Sequence, residues 1–146
     1  MERTSGSGRI DLDDPRLVDF WAPRRLATLT TLRPDGSPHT VPVAPVPEPS
    51  SGLLWILTSA TSVKARNVRA GNGAGRVSLC EVEGPHWVTV EGRAEFVDDA
   101  EVRADAELRY AVRFRAPRVN PRRVVILVRM TRVMGHLPLG TGSVTP

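Results

Sequence analysis

Nineteen of the twenty basic residues in this chain are arginine, and the exception is Lys64. It stands in Thr58-Ser59-Ala60-Thr61-Ser62-Val63-Lys64-Ala65-Arg66-Asn67, which reads as a strand end, a hydroxyl-rich turn and a helix start. Exposed helix N–H groups, several hydroxyls and one ammonium would then converge on a small volume, which is chemistry suited to a phosphate. A compact, movable point charge is kept here in a chain that otherwise uses the rigid arginine fork. Two readings stand side by side. In one, this turn binds an anion. In the other, Thr61 or Ser62 merely caps the helix and Lys64 is a solvated first-turn residue. A cation in a first turn opposes the helix dipole, which tilts the balance toward an anionic ligand.

The remaining charge is uneven around a net +4. Residues 1–107 carry twelve basic and sixteen acidic groups. Residues 108–146 carry Arg109, Arg113, Arg115, Arg118, Arg122, Arg123, Arg129 and Arg132, and no acid. Such a block points to an anionic partner, either nucleic acid or an acidic small molecule. For most of the eight, a stem laid over apolar surface or a pairing with acids elsewhere is a sufficient account. Few aromatics interleave with these arginines, which ranks nucleic acid last.

The positioning elements read as mostly β with two inserted helices after a short opening one. Pro15 begins that opening helix behind Asp13 or Asp14, and it ends near Trp21. Leu26–Leu32 and His39–Ala44 form a hairpin around Pro34-Asp35-Gly36-Ser37. Pro42 within the returning strand marks an edge or a ligand-facing break. Pro45–Ser51 reads as a proline-rich loop, Leu53–Thr58 as a third strand, and 62–70 as a helix ended by Gly71-Asn72-Gly73. Strands at Gly75–Val82 and His86–Val97 precede a helix capped by Asp98-Asp99 and running to about Phe114. Tyr110 and Phe114, four apart on it, suit core packing. A loop with two prolines, Arg115–Pro121, leads to one or two closing strands over Arg122–His136. About six strands in so short a chain should close on themselves, giving a small antiparallel barrel.

Length suits one domain, residues 11–136, with flexible tails at 1–10 and 137–146. No apolar run reaches membrane-spanning length, and the single Cys80, expected to be buried, forms no internal disulfide; a cytoplasmic protein is expected. There is no G-x-G-x-x-G after a strand, no G-x-S-x-G, no cysteine pair and no histidine pair at metal spacing; His39, His86 and His136 read as structural.

The hairpin Ala27–His39, the Thr58–Asn67 turn and Trp87-Val88-Thr89-Val90-Glu91-Gly92 together resemble the flavin/deazaflavin split β-barrel oxidoreductases, which include the pyridoxamine 5'-phosphate oxidase-like proteins. Ala106-Glu107-Leu108-Arg109-Tyr110-Ala111 and Arg115–Val125 are similar to the actinobacterial F420-dependent biliverdin reductases. The resemblance implies a six-stranded split barrel and a homodimer with the cofactor in the groove between barrels. It implies F420 as cofactor, with FMN as the alternative, and a conjugated anionic acceptor such as biliverdin as substrate. Lys64, Ser62 and Asn67 would lie near the cofactor phosphate. Thr58 and Ser59, with Val41, Pro42 and Val43, would flank the ring. Trp87 would come from near the interface, for ring stacking or dimer packing. Ser62 stands where the wider oxidase family often places an arginine beside the phosphate, which weakens the FMN case. Arg118 and Arg122 are the candidates for anionic groups of coenzyme or substrate, or else stabilise their loop. No catalytic triad is needed, because hydride transfer belongs to the cofactor. A non-catalytic binder of cofactor or tetrapyrrole is the remaining alternative.

Overall fold

The protein is described from a computed structural model covering residues 8–139. In chain order it forms α1 (Pro15–Trp21), β1 (Ala27–Leu32), β2 (Pro38–Val43), β3 (Val46–Glu48), β4 (Leu53–Ser59), α2 (Val63–Arg69), β5 (Arg76–Glu83), β6 (His86–Val97), α3 (Ala100–Arg113) and β7 (Arg123–His136). Each helix starts where a short polar side chain can accept an orphan N–H. Asp14 accepts from Arg16 N at 2.9 Å, Ser62 from Ala65 N at 3.2 Å, and Asp99 from Val102 N at 2.9 Å. Gly36, at φ 86°, turns the β1–β2 hairpin.

The strands form one antiparallel sheet in the order β2-β1-β5-β6-β7-β4-β3. Among the described residues there are seven strands, not six. The extra one is β3, inside the segment read as a loop. Its register is Val46 to Trp55, Pro47 to Leu54 and Glu48 to Leu53. Proline is tolerated there because β3 is a sheet edge, and β2, which holds Pro42, is the other edge. The closing segment is a single strand, β7, paired along both sides with β6 and β4.

One apolar core contains Val43 from one edge strand and Leu54 and Ile56 from beside the other, so the sheet curls around it. Alternation assigns the faces of β4. Leu54 and Ile56 enter the barrel core, while Leu53, Trp55 and Leu57 pack beneath α3. The β6–β7 ladder shifts register at Glu91/Gly92. A Cβ on Gly92 would lie 2.5 Å from the Arg129 carbonyl oxygen, so only glycine permits that approach.

The boundaries expected for the tails move outward. Ile10 is 8 % exposed and its N–H donates to Val133 O at 2.8 Å, and Leu137 also joins the core. The rest of both expected tails, residues 1–7 and 140–146, lies outside the described residues. Cys80 is half-buried on β5 rather than in the core. His86 and His136, fifty residues apart, bring their rings to 5.5 Å, and among the described residues no group of three metal-ligating side chains forms.

Candidate functional site

A cleft of about 450 Å³ opens where β4 ends. Its walls come from Thr58 and Ser59, from Tyr110 on α3, from residues 115–120, and from Ala44 and Arg123. The cleft exists because a proline-bearing segment leaves α3 and must return to start β7 beside β4. Four side-chain bonds hold that segment. Asn120 Nδ2 donates to Ser59 Oγ at 2.8 Å. Arg123 Nη2 donates to the Arg118 carbonyl at 2.6 Å, while its Nη1 bonds Glu107 Oε2 at 2.9 Å. The Asn120 Oδ1 accepts from Arg122 N at 3.0 Å, closing an Asx turn.

At the end of β4, Thr58 Oγ1 and Ser62 Oγ lie 3.0 Å apart. Ser62 also accepts the Ala65 N–H, so it does cap α2. Between them the two hydroxyls share one bond, leaving one O–H free to donate outward whichever way that bond runs. Lys64 follows half a turn later and is half-buried. Burial pushes its ammonium below the ordinary lysine value. Among the described residues no carboxylate pairs with it, which leaves a partly desolvated positive charge uncompensated.

The expected site residues therefore divide. Thr58, Ser59 and Arg118 share the cleft, and Ser62 joins through Thr58. Val43 is core, and Val41 and Pro42 pair with Leu29 and Thr28 along an edge strand; only their neighbour Ala44 reaches the cleft wall. Arg122 is exposed beside the cleft without lining it. Asn67 turns away. It is 5 % exposed, and its Nδ2 donates to Thr31 Oγ1 at 2.9 Å, tying α2 to β1. Its helical position, five residues past Ser62, carries it to the core side. Trp87 pairs with His136, at the opposite end of the β6–β7 ladder from the Val97–Val125 pair that adjoins Thr58.

Tyr110 and Asn120 are among the cleft residues that the sequence did not single out. Tyr110 stacks on Phe114 with centroids 5.1 Å apart, yet lines the cleft instead of the core. An aromatic pair at a helix end directly before a proline-rich loop was the available signal. Asn120 lies within a segment singled out for its arginines, and its reach to a residue sixty-one positions earlier has no local trace.

A curled antiparallel sheet with helices packed on it and a polar cleft at the end of β4 defines a split β-barrel protein. The chain belongs to the pyridoxamine 5'-phosphate oxidase family, whose sequence profile matches residues 13–136. It is 45 % identical over 128 residues to an F420H(2)-dependent biliverdin reductase of Mycobacterium tuberculosis, covering 88 % of this chain and 90 % of that protein. Among solved structures it superposes on the conserved hypothetical protein Rv2991 of Mycobacterium tuberculosis with a TM-score of 0.71 at 24 % identity, covering 96 % and 99 % of the two chains. It also matches HutZ, a haem storage protein of Vibrio cholerae, with a TM-score of 0.69 at 18 % identity over 90 % and 98 %. At those identities the two structures establish the shared fold.

Proposed function

We propose that this protein is an F420-dependent reductase that reduces a conjugated anionic acceptor of the biliverdin type. The observation that carries the reading is its 45 % identity, across nearly the whole of both chains, to an enzyme of that activity. The residues fit the coenzyme. An ammonium that no carboxylate among the described residues pairs, near a hydroxyl pair with one O–H to spare, is a donor set for a phosphodiester and carboxylates, not for a cation.

When bound, the reduced deazaflavin supplies the hydride. The chain's own task is to bind, orient and exclude water. Lys64 and Ser62 hold the phosphate of the tail, with Thr58 and Ser59 beside the ring. Asn67 serves indirectly, by fixing α2 against β1. Arg118 on the cleft wall takes a carboxylate of the acceptor, and Arg122 at its rim attracts it. From the β2 side Ala44 on the cleft wall flanks the ring, and Val41, Pro42 and Val43 support it from behind. Trp87 stands too far along its own subunit to take part, so it reaches the site from a second copy in a homodimer. A single unpaired cysteine suits the cytoplasm.

The test is anaerobic mixing of the purified protein with reduced F420 and biliverdin. Loss of the biliverdin absorption band with equimolar coenzyme oxidation is expected. Purification with stoichiometric FMN, or tight binding without turnover across a tetrapyrrole panel, would overturn the reading.

A further inference from the structure

We propose that Asn120 is a positioning residue that leaves the Ser59 proton free to donate to a ring amide or imide carbonyl of the ligand in the cleft. The inference rests on the deazaflavin-reductase reading for the identity of that ligand. It starts from proton accounting. The backbone N–H of Arg122 can only donate, so the Asn120 atom 3.0 Å from it is the amide oxygen. That fixes the flip of the side chain, and its NH2 must face Ser59. At 2.8 Å the Ser59 oxygen is thus an acceptor toward Asn120. A serine hydroxyl has one proton, and no other side chain or carbonyl among the described residues receives it.

Direction follows from strand parity. Leu53, Trp55 and Leu57 face α3, so Ser59 faces the same side, where it lines the cleft with Asn120 itself. The Ser59 proton therefore points to whatever fills the cleft. Such a hydroxyl favours a carbonyl oxygen: a ligand N–H could use the second lone pair of the Ser59 oxygen, but it would leave the Ser59 proton unpaired. Carbonyls of this kind occur in the pyrimidinedione of a deazaflavin and in the terminal lactams of a linear tetrapyrrole. Since Asn120 also holds the 115–120 segment against β4, one residue couples cleft shape to hydrogen-bond polarity.

The test inverts the polarity while keeping the turn. In Asn120→Asp the carboxylate still accepts the Arg122 N–H, but it can only accept from Ser59, and so consumes the proton meant for the ligand. Oxidised F420 and biliverdin are titrated separately against the parent, N120D, S59A and the double variant, with Kd as the readout. One of the two ligands is expected to lose about tenfold in both N120D and S59A, about the worth of one ordinary hydrogen bond. That ligand is the one whose carbonyl Ser59 meets. Adding N120D to S59A should then cost little more. Ser59→Thr, which keeps a hydroxyl, should restore affinity, and it carries the test should N120D fail to fold. An equal further loss in the S59A background would mean that the new charge acts by itself, and would overturn the inference, as would unchanged affinity in S59A. A parent protein that binds neither ligand would overturn the reductase reading together with this inference. Binding by the parent with N120D unimpaired would overturn this inference alone.

Discussion

The cations of this protein fall into two groups, those that the chain's own acids and carbonyls reach and those they do not. At one end of α3, Arg113 is half-buried, donates to the carbonyls of Trp21 and Pro23, and stands 3.8 Å from Glu81. Arg25 reaches the same carboxylate at 3.2 Å. Midway along α3, Arg109 bonds Glu48 at 2.9 Å and Asp105 at 3.1 Å and lies over the Trp55 ring. Arg123 takes Glu107. These residues use their charge to fasten α3 to the sheet. Lys64, Arg118 and Arg122 have no carboxylate among the described residues. Three of the eight arginines in the acid-free C-terminal stretch are thus structural, and the net positive charge of that stretch overstates what is left for a ligand. A cation beside a cleft carries weight only when the fold has left it unpaired.

That division can be broken most forcibly at Glu81, whose side chain is fully buried. Glu81→Ala leaves Arg25 and Arg113 facing an empty buried site, and should cost about 3–5 kcal/mol in denaturant unfolding. Glu81→Gln should cost less, and its deficit should depend on pH. Burial is the largest influence on this carboxyl and raises its pKa above the ordinary 4.5, against the pull of Arg113 and Arg25. The folded state therefore holds the proton more tightly than the unfolded chain does. The stability this confers is full below the ordinary glutamate value and is lost as pH rises through the raised one. The gap between the parent and Glu81→Gln should narrow in that direction, measured from about pH 4 to about pH 8. A widening gap would show the carboxylate to be stabilised by its arginines after all.

Among the unpaired cations the larger effect is expected at Lys64. Lys64→Ala should weaken F420 binding about tenfold or more, a difference of about 1.4 kcal/mol, and leave the melting temperature nearly unchanged. Because burial lowers the pKa of this ammonium, affinity in the parent should decline on the alkaline side before an ordinary lysine would discharge. Lys64→Arg should lose that alkaline decline. A large drop in melting temperature with unaltered affinity would assign Lys64 to the paired, structural group. The smallest effect belongs to Arg118. Arg118→Ala should raise KM for biliverdin about threefold and shrink toward parity in high salt, as expected for an exposed charge. Its stability cost should stay within about 0.5 kcal/mol.

Much of this architecture is written in short stretches. The Asp14, Ser62 and Asp99 caps, the Pro34–Ser37 turn and the Pro42 edge position each depend on residues a few places away, and each stands where local chemistry puts it. Thr58, Ser59 and Ser62 belong to one strand-to-helix turn, so their proximity was also legible. Residues 46–48 were not, because three prolines in five residues mimic a loop unless the segment is known to lie on an edge beside β4. Nor was Asn67, since a polar residue on a seven-residue helix gives no hint that Thr31 waits beneath it.

Residue order alone established a β-rich chain of short antiparallel neighbours, a hydroxyl-and-lysine turn fit for an anion, and a likeness to deazaflavin-handling split barrels. The fold in three dimensions settled which charges remain free, which way Asn67 faces, and that Asn120 meets Ser59. The physical reason is range. Caps and turns are closed by atoms within about four residues of each other, whereas Arg25–Glu81, Arg113–Trp21 and Asn120–Ser59 join groups more than fifty positions apart, which only strand pairing and the packing of α3 bring within bonding distance.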